Sequence, residues 1–311
     1  MLTRTGSFRL FRIAGIEVFL HWSWFVVAIF EINSRRDSYS SLAWNAAEYV
    51  ALFIIVLLHE FGHALACRQV GGEANRIVLW PLGGVAFVAP PQRPGATLWA
   101  IAAGPLVNLV LIPPALLFAG LSRWLGWGEA FPDAQHFLSA MVYLNVGLLI
   151  FNLLPVYPLD GGQILRSLLW FGLGRTRSLM VATVIGFAGA AGLLVSAMFM
   201  GSLWMGVLSV FMLMTCWRGW QQAAILSRMD AMPRHPGFAC PACKAAPPVG
   251  AFWRCHHCQT VFDTFATGAV CPKCQAQFET TMCLQCATSR PMAEWVQPPP
   301  PRPSAPTVGS M

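Results

Sequence analysis

The sequence predicts a polytopic α-helical membrane protein with about six transmembrane helices and a small membrane-associated β-hairpin, followed by a small cytoplasmic domain rich in cysteine. Three observations lead to this prediction. The 311 residues are 56% hydrophobic and 11% charged, and their mean hydropathy is +0.56. The apolar residues form long runs, and most of the cysteines fall in C-x-x-C pairs near the C-terminus. So apolar a composition excludes a soluble globular protein.

The transmembrane helices are marked by apolar runs close to the roughly 20 residues that cross a bilayer. The predicted spans are residues 18–32, 49–67, 98–121, 137–154, 179–200 and 203–217, of which the first and last are short. Arginine and lysine concentrate on one side if both termini are cytoplasmic, as the positive-inside rule requires. We therefore expect an integral protein of a bacterial cytoplasmic membrane. A basic face beside anionic lipid accounts for most of the +7 charge, so no nucleic-acid partner is expected.

The second span carries His59, Glu60 and His63 inside the apolar run ALFIIVLLHEFGHALAC. A charged group at the centre of a membrane helix costs roughly 2.5 to 3.5 kcal/mol, so this cluster indicates a function. On a helix the two histidines lie on one face and can reach one ion, while Glu60 is rotated by about 100° and lies beside it. This H-E-x-x-H spacing is typical of zinc peptidases, whose glutamate is the general base. The alternative is a pair of packing histidines, with Glu60 paired to an arginine.

A third zinc ligand is expected from Asp160, in the stretch FNLLPVYPLDGGQILRSLL. Pro155 and Pro158 end the preceding helix. Gly161 and Gly162 let the backbone take conformations that are closed to other residues. Such a break aims one carboxylate at a fixed point, and a catalytic zinc site needs three protein ligands. The alternative is a turn aspartate that caps the next helix.

A β-hairpin is predicted between Gly71 and Pro94, where β-branched residues flank a turn that contains Gly83 and Gly84. An extended substrate can pair with its exposed edge by strand addition. The alternative is a plain loop that packs on the helices. Asn108, in the third span, must find a hydrogen-bond partner inside the bundle. A lone membrane histidine such as His21 is more often a packing residue than a ligand.

Four C-x-x-C pairs follow the last span, and pairs at this spacing form four-thiolate zinc sites. Pairing in sequence order predicts one structural zinc on Cys240, Cys243, Cys255 and Cys258 and a second on Cys271, Cys274, Cys283 and Cys286. A crossed pairing, or His256 or His257 in place of a cysteine, is the alternative. Redox chemistry suits four repeats less well. Metal should supply much of the folding free energy of so small a domain.

Shifts in composition divide the chain into four segments. We predict a transmembrane domain over residues 1–228, a linker over 229–239, a double four-cysteine zinc-ribbon module over 240–290 and a Pro-rich disordered tail over 291–311. The sequence of the module does not state its function. Our hypothesis is that it recognises a protein substrate or a cytoplasmic regulator.

Four motifs, in order, resemble the site-2 protease family of intramembrane zinc metalloproteases. They are residues 59–63, 81–84, 104–108 and 152–162. The resemblance implies that His59, His63 and Asp160 hold a catalytic zinc and that Glu60 activates water. It also implies hydrolysis of a peptide bond in or beside a transmembrane helix of a membrane-protein substrate. Asn108 and Asn152 would orient that substrate or stabilise the oxyanion. His21 is similar to the first-helix histidine of the family.

Three functions are compatible with these residues. The first is regulated intramembrane proteolysis by one catalytic and two structural zincs. The second is a membrane-anchored zinc-ribbon adaptor whose protease core is idle, although an idle site has no reason to keep the base Glu60. The third is a metal transporter, which predicts polar residues strung across the membrane, whereas the sequence suggests that they gather at one side.

Overall fold

The computed structural model describes residues 6–34, 38–80 and 83–296. The chain forms two compact units, Met1–Ala223 and Ala224–Met311. The first unit contains a helical bundle and one β-sheet, and the second contains the cysteine pairs. Each unit is described in turn.

The helices are α1 (Ser23–Ser34), α2 (Leu42–Gln69), α3 (Pro94–Trp124), α4 (Trp127–Ala130), α5 (Pro132–Leu153), α6 (Asp160–Met200) and α7 (Leu203–Asp230). Among the described residues, α2, α3, α5 and α6 are long and apolar enough to cross a membrane. They contain or overlap the four central predicted spans. Helix α7, which contains the sixth, falls outside this set, so six crossings are not confirmed.

The first predicted span, residues 18–32, is wrong as a continuous helix. Its first residues belong to a strand, Ile16–His21, and α1 is only 12 residues long. Such a helix rises about 18 Å, less than the roughly 30 Å of a hydrocarbon core. The reason lies in the sequence IEVFLH, where Ile16, Val18 and Leu20 are buried and alternate with less buried neighbours. That period of two favours a strand.

A four-stranded sheet replaces the isolated hairpin that the sequence predicts. Its order is β1 (Ser7–Ile13), β2 (Ile16–His21), β3 (Glu73–Trp80) and β4 (Gly83–Ala89). The predicted hairpin is the antiparallel pair β3–β4, in which Trp80 lies opposite Gly83. Residues 81–82 of its turn lie outside the described residues. Strand β2 runs parallel to β3, with Val18 opposite Ile77, because the long helix α2 separates them in the chain.

The sheet packs against α2 and so places β4 beside the H-E-x-x-H turn. Ile16, Val18, Ile77 and Leu79 of the sheet are fully buried or nearly so, and they form one core with Val56, Ala64 and Cys67 of α2. At about 25 cal/mol per Å² of apolar surface, burying each isoleucine, valine or leucine of the sheet stabilises the fold by roughly 1.5 to 3 kcal/mol relative to its exposure to water. The sheet is therefore a rigid support along one side of this helix.

Helix α6 bends at Gly174, whose φ of 78° and ψ of 170° are not helical. The residues after the bend contain the predicted fifth span, and the residues before it begin with Asp160. A positive φ of this kind favours glycine, which has no Cβ to clash with the backbone. The bend therefore separates a short helix that starts at the candidate ligand from a long apolar one.

The second unit contains two small antiparallel ladders, β5 (Trp253–Arg254) with β6 (Val261–Phe262) and β7 (Thr280–Met282) with β8 (Ser289–Pro291). Trp253, Phe265 and Trp295 form its core, together with two cysteines. Trp295 is only 1% exposed, and its carbonyl accepts a hydrogen bond from Ala239 N–H. A module that ends at residue 290 is therefore too short.

Two of the predicted boundaries need correction on these grounds. The predicted tail starts too early, because residues 291–296 form part of the folded unit; residues 297–311 lie outside the described part of the chain. The predicted linker is partly ordered, because α7 continues to Asp230 and Arg234 forms a β-bridge with Pro248.

Candidate metal centre

Two histidine nitrogens and one carboxylate oxygen converge inside the bundle. His59 and His63 lie four residues apart on one face of α2, and both are buried. The two Nε2 atoms lie 3.1 Å apart. Oδ2 of Asp160 lies 3.0 Å from Nε2 of His59 and 3.3 Å from Nε2 of His63. The structure thus brings together the three residues in which the sequence predicts a catalytic zinc site.

Both histidines are held through their other ring nitrogen. His59 Nδ1 lies 2.5 Å from Oδ1 of Asn108, and His63 Nδ1 lies 2.9 Å from the carbonyl of Ala100. Because both partners are acceptors, each Nδ1 carries a proton, and in the neutral ring each Nε2 then presents a lone pair to the centre. This is the tautomer that a metal-bound histidine needs.

The donor set fits a zinc ion. Two lone pairs and a carboxylate oxygen at these separations repel one another unless a cation lies between them. Gly104 of α3 leaves room there, since a Cβ at this position would lie 2.3 Å from His63 Nε2 and 2.8 Å from His59 Nε2. Two imidazoles and one carboxylate are a known catalytic zinc ligand set.

Asp160 reaches the centre because α6 starts there. It is the first residue of α6, and the two glycines after it are helical and buried. Their role differs from the predicted one: neither has a positive φ. Instead, a Cβ on Gly161 would lie 2.3 Å from the carbonyl oxygen of Leu153, and one on Gly162 would lie 2.3 Å from the N of Tyr157. Glycine is needed for close packing of the first turn.

Glu60 lies on α2 next to His59 and is 6% exposed. Its Oε2 accepts a hydrogen bond of 2.9 Å from the backbone N–H of Ala86 in β4. Ala86 of β4 lies opposite Ile77 of β3. Because the N–H of Ala86 donates to Glu60, it points away from β3. The outer edge of β4 therefore faces the candidate base.

Asn108 lies directly beside His59. It is fully buried, its Oδ1 bonds His59, and its Nδ2 donates to Oδ1 of Asn145 over 2.7 Å. With both ends of its amide engaged in these bonds, Asn108 is placed to support His59. Asn145 was not predicted as a site residue. The sequence feature that could have identified it is a second amide side chain in an apolar span.

Among the described contacts, none joins His21 or Asn152 to the three ligand atoms. His21 stacks on Trp80, with ring centroids 4.1 Å apart, and its Nδ1 lies 2.5 Å from Ser23 Oγ. It is a packing residue at the end of β2. Asn152 is partly buried in the last turn of α5 and, in the described part of the chain, makes no hydrogen bond to the metal ligands. Gly83 and Gly84 begin β4, opposite Trp80 and Leu79 of β3.

The cysteines form two groups of four, but their predicted pairing in sequence order is wrong. The outer group is Cys240, Cys243, Cys283 and Cys286, and the inner group is Cys255, Cys258, Cys271 and Cys274. The inner group is thus nested between the halves of the outer one. Spacing alone does not distinguish these arrangements, because neighbouring pairs are similarly spaced. Contacts between distant parts of the chain determine the grouping. Trp253 Nε1 donates to the carbonyl of Met282 over 3.0 Å, which places β7 next to β5.

All four C-x-x-C pairs adopt the same turn. In each, the residue after the second cysteine donates its N–H to the carbonyl of the first cysteine, as Lys244 does to Cys240 over 2.8 Å. That residue also has a positive φ in each turn. Hydrogen bonds from Thr260 lower the pKa of Cys258 to about 6, whereas burial raises the pKa of Cys243 in the outer group to about 11, so the thiols do not ionise alike. Within each group the ligand atoms lie within 4.8 Å of one another, so each fits one ion.

Comparison with known proteins points to one family. Residues 47–133 and 128–196 match the model of peptidase family M50. The chain is 33% identical over 182 residues to zinc metalloprotease MJ0392 of Methanocaldococcus jannaschii, covering 58% of this chain and 50% of that protein. It is 28% identical over 246 residues to the putative zinc metalloprotease sll0528 of Synechocystis, covering 73% of this chain and 63% of that protein. The chain therefore spans half to under two thirds of these relatives.

A solved structure gives the same result. The site-2 protease from Methanocaldococcus jannaschii matches with a TM-score of 0.51 and 27% sequence identity, covering 69% of this chain and 95% of that one. The match supports a shared fold for the membrane region. The predicted family is thus confirmed, and through residues 47–196 the chain belongs to peptidase family M50, the site-2 protease family.

Proposed function

We propose that this chain is a zinc endopeptidase that hydrolyses a peptide bond in or next to a transmembrane segment of a membrane protein, as a step of regulated intramembrane proteolysis. The observation that carries the proposal is the convergence of His59, His63 and Asp160 ligand atoms within 3.0 to 3.3 Å. Glu60 follows His59 directly and is buried beside them. Residues 1–228 would form the protease.

The residues of this chain have distinct roles in the proposed reaction. Zinc bound by His59, His63 and Asp160 supplies a Lewis acid that polarises a carbonyl and acidifies water. Glu60 takes the proton of the attacking water and returns it to the departing amine nitrogen. The Ala86 N–H holds one carboxylate oxygen of Glu60 in place, which leaves the other able to carry the proton.

The substrate would bind as an extended strand along β4. A hydrogen-bonded helix shields its carbonyls, so a transmembrane substrate must unwind before attack. The outer edge of β4 offers backbone groups that point away from β3, and Ala86 on this edge already contacts Glu60. A strand added there would lie beside the base.

The remaining features give the setting of the reaction. We propose a bacterial cytoplasmic membrane with both termini cytoplasmic, following the distribution of arginine and lysine. The cysteine groups would hold two structural zincs, in addition to the catalytic one. The ribbon module would recognise a substrate or a regulator. Emptying both ribbons with a Cys243→Ser and Cys274→Ser variant should then change which substrates are cleaved.

The central test compares wild type with Glu60→Gln, a variant that keeps the shape of the side chain. Membranes from cells that make either chain are searched by mass spectrometry for new peptide ends in or beside transmembrane segments. We expect such ends with wild type and at least about 100-fold fewer with the variant, since general-base catalysis contributes roughly 10² to 10⁴. Both proteins should hold about three zincs per chain.

Two results would contradict the proposal. One is an equal yield of new ends from Glu60→Gln. The other is a zinc content that is unchanged by His59→Ala, because the bundle would then hold no zinc and the adaptor function would explain the chain better.

A further inference from the structure

The position of Asp160 depends on a short connection. His59 and His63 share one helix, α2, whereas Asp160 starts α6 after six connecting residues, 154–159. A catalytic metal site tolerates little error in the position of a ligand. Something must therefore hold this connection against the bundle.

Tyr157, in the middle of the connection, lies between two helices. On the α6 side, a Cβ on Gly186 would lie 2.7 Å from the carbonyl oxygen of Tyr157. On the α7 side, a Cβ on Gly219 would lie 3.0 Å from the Tyr157 ring and 2.7 Å from Thr183. The two glycines thus form a notch that is filled by this tyrosine.

A hydrogen bond adds to this packing. The thiol of Cys216, one turn before Gly219 on α7, donates to the carbonyl of Tyr157 over 3.0 Å. The same tyrosine contacts the first turn of α6, since its N faces Gly162. Tyr157 therefore touches α7 on one side and the helix start that carries Asp160 on the other.

We propose that Tyr157 is a positioning residue for Asp160 and that α7, through Gly219 and Cys216, forms part of the metal centre. The proposal rests on the proposed function, because it takes Asp160 as a zinc ligand. It extends the site beyond residues 47–196, which match the family model. Helix α7 thereby gains a role that neither its length nor its composition indicates.

The test measures zinc affinity, by competition with a chelator, in the full-length protein in detergent. Gly219→Val should push the Tyr157 ring out of the notch and weaken zinc binding at the membrane site by about tenfold or more, as changes behind metal ligands do. The matched control is Gly206→Val on the same helix, where nothing lies within 4 Å of a Cβ. Its zinc affinity should equal that of wild type.

Substitutions of Tyr157 itself keep the proposal falsifiable if Gly219→Val does not fold. Tyr157→Ala should weaken zinc binding, whereas Tyr157→Phe should retain it because the ring remains. A variant that keeps the zincs of both cysteine groups has a folded second unit. Zinc binding by Tyr157→Ala or by folded Gly219→Val that is as tight as in Gly206→Val would overturn the proposal. Wild type that holds no more zinc than His59→Ala would instead contradict the proposed function.

Discussion

Asn145 donates a hydrogen bond of 2.9 Å to the backbone carbonyl of Asn108 and accepts one of 2.7 Å from the side chain of the same residue. This reciprocal pair joins α5 to α3 and fixes the Asn108 amide. Oδ1 of Asn108 is then directed at Nδ1 of His59. The orientation of a candidate zinc ligand is thus set by two buried amides in the apolar bundle.

Asn108→Leu should lower zinc affinity at the membrane site by about 10- to 100-fold, because it removes the acceptor that fixes the His59 tautomer. Competition with a chelator measures this change. The matched control is Asn152→Leu, the same substitution at a partly buried asparagine for which the described residues include no hydrogen bond to the ligands. Equal zinc affinity in both variants would show that Asn108 does not support the ligand.

Gly104→Ala should empty the membrane site while all ligands remain. The new methyl group would lie 2.3 Å from His63 Nε2, where the ion needs space. We expect about one zinc fewer per chain and loss of cleavage. Gly120→Ala on the same helix is the control, since nothing lies within 4 Å of a Cβ there. Full zinc content in Gly104→Ala would show that the ion does not occupy this space.

Pairs of cysteine substitutions test the nested arrangement. Cys243→Ser with Cys283→Ser alters one group and should cost one zinc, because both cysteines belong to the outer group. Cys243→Ser with Cys255→Ser alters both groups and should cost two. Pairing in sequence order gives the opposite result, so zinc content per chain separates the two arrangements.

Acid should weaken the second unit through Asp263. Burial by itself raises the pKa of Asp263, but the N–H of Gly250 and the ring of His235 offset this and hold the pKa below its usual range. A carboxylate with a lowered pKa stabilises the fold at pH values above its unfolded pKa of about 3.9, and this stability is lost as the pH falls through the lower folded pKa.

The Asp263→Asn variant isolates this contribution. At neutral pH it should be less stable than wild type by about 1.5 kcal/mol, the usual size of a hydrogen bond to a charged group. Hydrogen exchange at Phe265 and Ala266, whose N–H groups bond Asp263, measures the difference at saturating zinc. The difference should shrink as the pH falls below about 4. A constant difference would exclude a role for the charge.

The sequence predicts the central helices well, and it places the candidate ligands on one helix face, because both depend on local patterns. Apolar runs mark α2, α3, α5 and α6, and His59 and His63 share a face by helix period alone. The β1–β2 hairpin was missed because its apolar residues merge with those of α1 into one run. Strand alternation and a membrane helix look alike over so short a stretch.

Long-range contacts could not be predicted in the same way. The nested cysteine groups, the bond from Ala86 to Glu60 and the contact of Tyr157 with α7 each join residues that are distant in the sequence. The expected gathering of polar residues at one side stays a prediction. Asn45 and Glu48 of α2 and Gln135 of α5 are also buried, but they precede the predicted spans that begin at residues 49 and 137. The transporter function is opposed by that expectation and by the burial of Glu60 beside His59.

The four cysteine turns close through residues other than glycine, although φ in these residues is between 58° and 62°. Each such residue costs on the order of 1 kcal/mol, so a chain without zinc would carry four strained turns and only a small core. Its C-terminal segment would stay unfolded and open to degradation. The amount of intact protein in a cell would then follow the supply of zinc during synthesis, before any substrate is met.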